Sequence, residues 1–346
     1  MPAFYSLPFI KMQALGNDLI FLDGEKLLDS AARPLLSQWQ SVAPVLAKEL
    51  CHRRLSIGAD GLILAMDLAV PELSQMASAF YGPTSQDCQL SWTYHNSDGS
   101  IADICGNGLR CLALWAREEK NMDGDFKVAT ALGPLSLSYQ DKSQITVMLG
   151  APKLLANEIP FSAKKIGRVV QELFELGKAK FPITCVNVGN PHCVIFEADF
   201  LNPNLFSHLT NIKDRPQDHF FPSALRPIAE ALEIDSHFPE HTNIEFVNVL
   251  DRNHIQVFVW ERGSKATLAC GSAAAAAAVA SILEKRTDSK VMVTLPGGTL
   301  LIDWSDENVI KMTGGADLSF YGQINISTEK LKSKNQGSKP GKVTAS

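Results

Sequence analysis

Several signals are missing from this chain of 346 residues, and each absence removes a class of function. No cysteine or histidine pair has metal-ligand spacing, although Cys51 and His52 adjoin, so no metal site is expected. The seven cysteines form no disulfide framework. Their odd number and scattered positions in a long chain indicate free thiols in a reducing compartment. No apolar run reaches membrane-spanning length; the alanine run after Ser272 is too short and is followed by Glu284, Lys285 and Arg286. The first residues lack a charged region and an apolar region of secretory type. The simplest address is cytoplasmic, and an organellar copy without its transit peptide is the alternative. No motif for pyridoxal phosphate or another cofactor is visible. Basic charge is also scarce. The net charge is −5, and residues 327–346 alone carry five Lys and one Glu, which leaves −9 on the rest. A body so acidic argues against nucleic-acid binding. Residues 327–346, rich in Lys, Ser and Gly, read as a disordered tail.

What is present is ordinary globular composition, 45% apolar and 20% charged, with length enough for two domains. One short pattern occurs twice. Asp103-Ile104-Cys105-Gly106-Asn107-Gly108 and Leu268-Ala269-Cys270-Gly271-Ser272-Ala273 each place Cys-Gly where an extended segment turns into a helix. The first helix is predicted from about Leu109 to Lys120, and the second from Ala273 to about Lys285, with Ser272 as its N-cap. Nine residues upstream stand Asn96 and Glu261, each closing a run rich in aromatic or β-branched residues. Strand, polar loop, Cys-Gly and helix thus recur in two halves of one chain, a pseudo-repeat.

The position of the cysteines has chemical meaning. A helix N-terminus presents unpaired N–H groups and about half a positive charge. It favours a thiolate, and the same N–H groups hold a carboxylate or a developing oxyanion. Either cysteine alone reads more readily as a small buried residue. The pair suggests two thiols facing across a cleft, one base and one acid. The run Ala273–Ala278 carries no charge on any face, as a helix closely wrapped by a curved sheet requires.

Along the rest of the chain, Phe9–Met12 and Leu19–Leu22 read as strands around the turn Ala14–Asp18, where Asn17 is either a turn residue or an amide aimed at a ligand. Residues 31–50 read as a helix with Pro44 as an interior defect, a point where it could split. Arg53 and Arg54 read as solvated loop charges. Residues 67–88 read as a surface insertion, and 162–177 as helical or irregular. The turn Gly189-Asn190-Pro191-His192 lies between apolar runs and aims Asn190 and His192 off a sheet end; solvation and a site role are both open to them. The long polar stretch 199–240 includes a helix at Ser223–Leu232. Residues 316–324 should return to the first half's sheet. The boundaries expected are 1–149 with 316–326 for the half carrying Cys105, 150–315 for the half carrying Cys270, and 327–346 for the tail.

Taken together, these segments resemble the diaminopimelate epimerase family. The motifs that carry the resemblance are Ala14–Asp18, Gly58–Gly61, Asn96–Cys111, Gly189–Cys193, Thr242–Phe246, Trp260–Gly263, Leu268–Gly271, Leu295–Gly298 and Met312–Gly314, in order over most of residues 9–325. The resemblance implies an α/β fold of two pseudo-symmetric domains, each a strongly curved mixed or antiparallel sheet wrapped around a central helix. It also implies a cofactor-independent epimerase that interconverts LL- and meso-diaminopimelate in lysine biosynthesis, with a homodimer as the assembly. Position by position it implies Cys105 and Cys270 as the catalytic thiols, and His192 and Glu261 as the polar pair near the reacting amino group. Gly106, Asn107, Gly271 and Ser272 match the two carboxylate clamps; Asn17, Asn96, Asn190, Asn243 and Arg262 match the set that fixes the substrate. Arg262 would take the distal carboxylate. The chain departs from the family at Ala273, where a Gly is usual, and at Ser264-Lys265-Ala266. The alternatives to this activity are a racemase of the same fold acting on another amino acid such as histidine, and a non-catalytic amino-acid-binding protein.

Overall fold

Strands buried on both faces read as nearly continuous apolar runs, and this chain has several. In the computed structural model, which describes residues 4–102, 104–162, 167–177, 179–199, 220–306 and 308–332, they form one long curved ribbon of sheet. Asp103, much of the 199–240 stretch and residues 333–346 of the tail lie outside the described residues.

The first half runs β1 (Phe4–Ala14), β2 (Asn17–Asp23), α1 (Gly24–Leu28), α2 (Trp39–Leu50), β3 (Gly61–Asp67), α3 (Pro71–Tyr81), β4 (Leu90–Asn96), α4 (Gly106–Lys120), β5 (Gly124–Thr130), β6 (Gly133–Asp141) and β7 (Gln144–Met148). Then follow β8 (Glu172–Leu176), β9 (Ala179–Asn187), β10 (Pro191–Phe196), α5 (Arg226–Glu233), β11 (Asn243–Asp251), β12 (His254–Glu261), β13 (Lys265–Thr267), α6 (Gly271–Leu283), β14 (Lys290–Leu295), β15 (Gly298–Asp306) and β16 (Val309–Gly314). β17 (Asp317–Ser327) and α7 (Thr328–Lys332) complete the described chain, so the first residues of the expected disordered tail are ordered, with Leu331 buried against the outer core.

The pairing repeats. β1–β2 is antiparallel, β2–β3 parallel, β3–β4 antiparallel, β4–β5 parallel across α4, and β5–β6–β7 antiparallel. In the same order β9–β10 is antiparallel, β10–β11 parallel, β11–β12 antiparallel, β12–β14 parallel across α6, and β14–β15–β16 antiparallel. The last strands of the two series, β7 and β16, pair with each other, and the Thr146 and Thr313 hydroxyls meet across the join at 2.8 Å. β17 lies antiparallel on β1.

Alternation of side chains sorts the cores. Leu19, Phe21, Ile63 and Ala65 face an inner core shared by α4 and α6; Ile20, Leu22, Leu62 and Leu64 face an outer core against α2. Ala273–Ala280 are all fully buried. Strands β9–β12 and β14–β16 all touch α6, which leaves no room for larger side chains.

Several local expectations need correction. Both helices that follow a Cys-Gly begin earlier than their sequence suggested: Cys105 and Cys270 are themselves the N-caps, and Ser272 sits inside the first turn. Glycine at the first helical position disguised both starts. Residues 71–81, within the expected insertion, form a helix whose Leu73 and Ala77 are buried against the first half. Glu172–Leu176, within the segment read as helical or irregular, is a strand. Pro44 does not split α2; burial of Trp39, Val42, Ala43 and Leu46 offsets the roughly 3 kcal/mol cost of an interior proline.

Candidate active site

The two Cys-Gly turns meet at the centre of the molecule. A methyl group built on Gly271 would stand 3.5 Å from the Cα of Gly106, and one on Gly106 would stand 3.7 Å from the Cα of Gly271. The residues that follow the two cysteines therefore touch. Neither position has room for a side chain, because Met312 of β16 fills the space between: added Cβ atoms would fall 2.5 Å from its Cε and 2.9 Å from its Sδ. Both thiols are free.

Their surroundings differ. Cys105 Sγ accepts the Gly108 N–H at 3.3 Å and shares a hydrogen bond with Tyr94 of β4. Burial raises its pKa, with Glu261 adding to the rise; the Gly108 N–H and Arg110 oppose it. Cys270 Sγ lies 3.3 Å from Ser272 Oγ and is hydrogen-bonded to Glu261. Burial raises its pKa strongly, and Glu261 and Glu245 add to this.

Glu261 closes β12 and accepts the Thr267 hydroxyl at 2.5 Å. Burial holds its carboxyl above the ordinary range. His192, at the start of β10, is fully buried, with Nδ1 at 2.6 Å from Glu245 Oε1 and Nε2 at 2.8 Å from Asn190 Oδ1. Asn243 donates to the Pro191 carbonyl at 2.8 Å and accepts the Arg262 N–H at 2.9 Å, so its side chain ties together the loops that carry His192 and Arg262. Arg262 is exposed and donates to the Glu240 carbonyl at 2.7 Å. Asn17 donates to Asp60 at 3.4 Å, and its Oδ1 is buried without a hydrogen-bond partner. Asn96, at the end of β4, donates to Ser100 Oγ at 2.9 Å. Asn107 donates to the Ala269 carbonyl at 3.2 Å and accepts from Arg110 at 2.7 Å. Its side chain thus bridges the two turns, while its backbone N–H points at the Cys105 sulfur.

Sequence reasoning missed several groups. Arg53 is an exposed loop charge as expected, but it is also paired: it grips Asp18 with both terminal nitrogens, at 2.6 and 3.1 Å, and reaches Asp60 at 2.5 Å. Lys11 completes that cluster at 2.7 Å from Asp18. Glu245 and Arg110 were missed too. The signal for Arg110 was its setting between Leu109 and Cys111 in a helix apolar on every side. Among the described residues no group of three His, Cys, Asp or Glu is arranged to hold a metal, and no helix is long and apolar enough to cross a membrane.

The diaminopimelate epimerase family model matches residues 9–155 and 184–319. The chain belongs to the diaminopimelate epimerase family. It is therefore an isomerase of the racemase and epimerase type. Relatives within the family include a diaminopimelate epimerase of Oryza sativa subsp. japonica described as chloroplastic, 37% identical over 92% of this chain and 80% of its own length. The diaminopimelate epimerase of Trichodesmium erythraeum is 37% identical over 91% of this chain and 98% of its own. The fold is also that of more distant enzymes. A hydroxyproline epimerase from Agrobacterium vitis superposes with a TM-score of 0.59 at 10% identity, over 93% of each chain. A methylitaconate-delta-isomerase does so with a TM-score of 0.57 at 13% identity over 100% of each.

Proposed function

We propose that this diaminopimelate epimerase interconverts the LL and meso forms by a two-base mechanism, with Cys105 and Cys270 on opposite faces of the α-carbon. One observation carries the reading: each cysteine caps a helix, and the two helix starts touch. Inversion removes a proton from one face and returns one to the other, so it needs a base and an acid placed across the carbon. A thiolate takes the α-hydrogen; the opposite thiol gives its proton; the carbanionic charge passes onto the α-carboxylate. That charge grows in a site facing the N-termini of α4 and α6, where backbone N–H groups of Gly106, Asn107, Gly271 and Ser272 can meet the carboxylate oxygens. Removal of water strengthens those interactions.

His192 and Glu261 flank the reacting amino group in this reading, with Asn17, Asn96, Asn190, Asn243 and Arg262 fixing the remainder of the substrate. The same reading takes residues 1–149 with 316–326 and residues 150–315 as the two units, joined by the β7–β16 pair. It takes the working form as a cytoplasmic homodimer, which sedimentation of the purified protein checks. The test of mechanism is epimerisation by Cys105→Ala and Cys270→Ala. Each should lose at least about a hundredfold in kcat, the scale of a missing acid or base. Full turnover by either variant would end the two-thiol reading.

A further inference from the structure

Arg110 is fully buried in the first turns of α4, yet among the described residues no carboxylate lies within ion-pairing distance of it. Its donors all go to neutral acceptors. Nε reaches the Gly315 carbonyl at 3.1 Å, Nη1 the Gly106 carbonyl at 3.3 Å and Met312 Sδ at 3.8 Å, and Nη2 the Asn107 amide oxygen at 2.7 Å. A buried charge without a counter-charge costs several kcal/mol. Burial accordingly pulls its pKa down to about 10, a value at which it stays a cation. The ionisable groups facing it are Cys111 and Cys105. Cys111 lies wholly inside the core. Cys105 faces the site and is the anion the cation can acquire.

The same guanidinium spans both turns. It holds the carbonyl of the residue after Cys105. Through Asn107, whose amide donates to the Ala269 carbonyl, it reaches the residue before Cys270. The environment of Cys270 has the opposite sign: its sulfur is hydrogen-bonded to Glu261 and faces Glu245.

We propose that Arg110 is a positioning residue for the epimerisation: it makes Cys105 the more readily ionised thiol and leaves Cys270 the more firmly protonated one, and it sets the spacing of the two turns through Asn107. This rests on the two-thiol reading above. Other titratable groups around the pair are Tyr94 on β4, Cys111 on α4, Glu245 on β11 and Glu261 on β12. His192 on β10 faces Glu245 and Glu261, Asp60 faces Tyr94 and Glu261, and Asp317 on β17 is felt at Cys111. None of these is a cation on the Cys105 side of the site.

The experiment is iodoacetamide labelling over a pH series, read at each cysteine by peptide mass spectrometry, on the wild-type chain, Arg110→Lys and Arg110→Met. The pH midpoint is compared rather than the rate, since Cys105 is the more accessible. In the wild type the Cys105 midpoint should lie below that of Cys270. Arg110→Met should raise the Cys105 midpoint by about one pH unit, tenfold slower labelling on the rising limb, leave the Cys270 midpoint in place and lower kcat. Arg110→Lys keeps the charge and loses the fork; it should hold the Cys105 midpoint closer to wild type than the methionine variant does, while kcat falls. A wild-type Cys105 midpoint at or above that of Cys270 overturns the proposal. So does an unmoved Cys105 midpoint in a folded Arg110→Met. If that variant does not fold, the wild-type comparison decides. Failure of the two-thiol reading is separate: it appears as turnover in Cys105→Ala, which labelling does not measure.

Discussion

Asp18 shows how a single residue of the site is held. Burial pushes its carboxyl up, but hydrogen bonds from Arg53 and Lys11 outweigh that and bring it down to about 2. A lowered carboxyl contributes stability above its unfolded value of 3.8, and the contribution is lost as pH falls through about 2. Asp18→Asn should therefore cost about 1–2 kcal/mol at neutral pH, and urea titrations should show the difference from wild type shrinking as pH falls from 4 toward 2. A constant difference would place the effect elsewhere. Glu245 and Glu261 have the opposite sign. Burial raises both, so their contribution is full below the ordinary glutamate range and is lost as pH rises through their raised values. The site is thus built partly against stability, as functional groups often are. Asn243 and Asn107 teach a different lesson. Their side chains are spent on holding loops together, a use that the residue type alone does not reveal.

At the scale of elements, α6 carries the fold. Its alanines are buried on all sides, so Ala276→Leu should destabilise by about 1–3 kcal/mol or more, measured by chemical denaturation. Gly106→Ala tests the contact between helix starts: the new methyl meets Met312, boxed in by Gly271. Activity should fall more than stability, and Met312→Ala added to it should restore part of the stability. No change in either quantity would mean that the turns are not packed as described. The alanine run and the repeat of strand, loop, Cys-Gly and helix made this architecture legible in the sequence. The starts of the helices were not, because Gly-Asn-Gly reads locally as a loop and only the tertiary contact at Met312 explains glycine there. Helix α3 was obscured for a related reason. Its buried face is narrow, chiefly Leu73 and Ala77, too few apolar residues to give a clear period.

For the whole molecule, the notable fact is one inner core lined by both halves. Trp92 and Trp115 belong to it with Val257, Val259 and the alanines of α6. Two halves that share a core and a strand pair should unfold together. Thermal unfolding followed by tryptophan fluorescence and by far-ultraviolet dichroism should give coincident transitions, and two separated transitions would contradict the shared core. Covalent distance was no guide to the partners of Arg53 and Arg110: Asp18, Gly315 and Met312 lie far away along the chain.

The central claim is that two groups, each on its own face, handle the α-proton. Epimerisation started from one stereoisomer in deuterated water, followed by nuclear magnetic resonance over the first turnovers, tests it most directly. Deuterium should appear at the α-carbon of the product, delivered by the solvent-equilibrated thiol, while recovered substrate stays unlabelled, because the other sulfur returns the hydrogen that it took. Equal labelling of substrate and product from the outset, or product that keeps the original hydrogen, would contradict it.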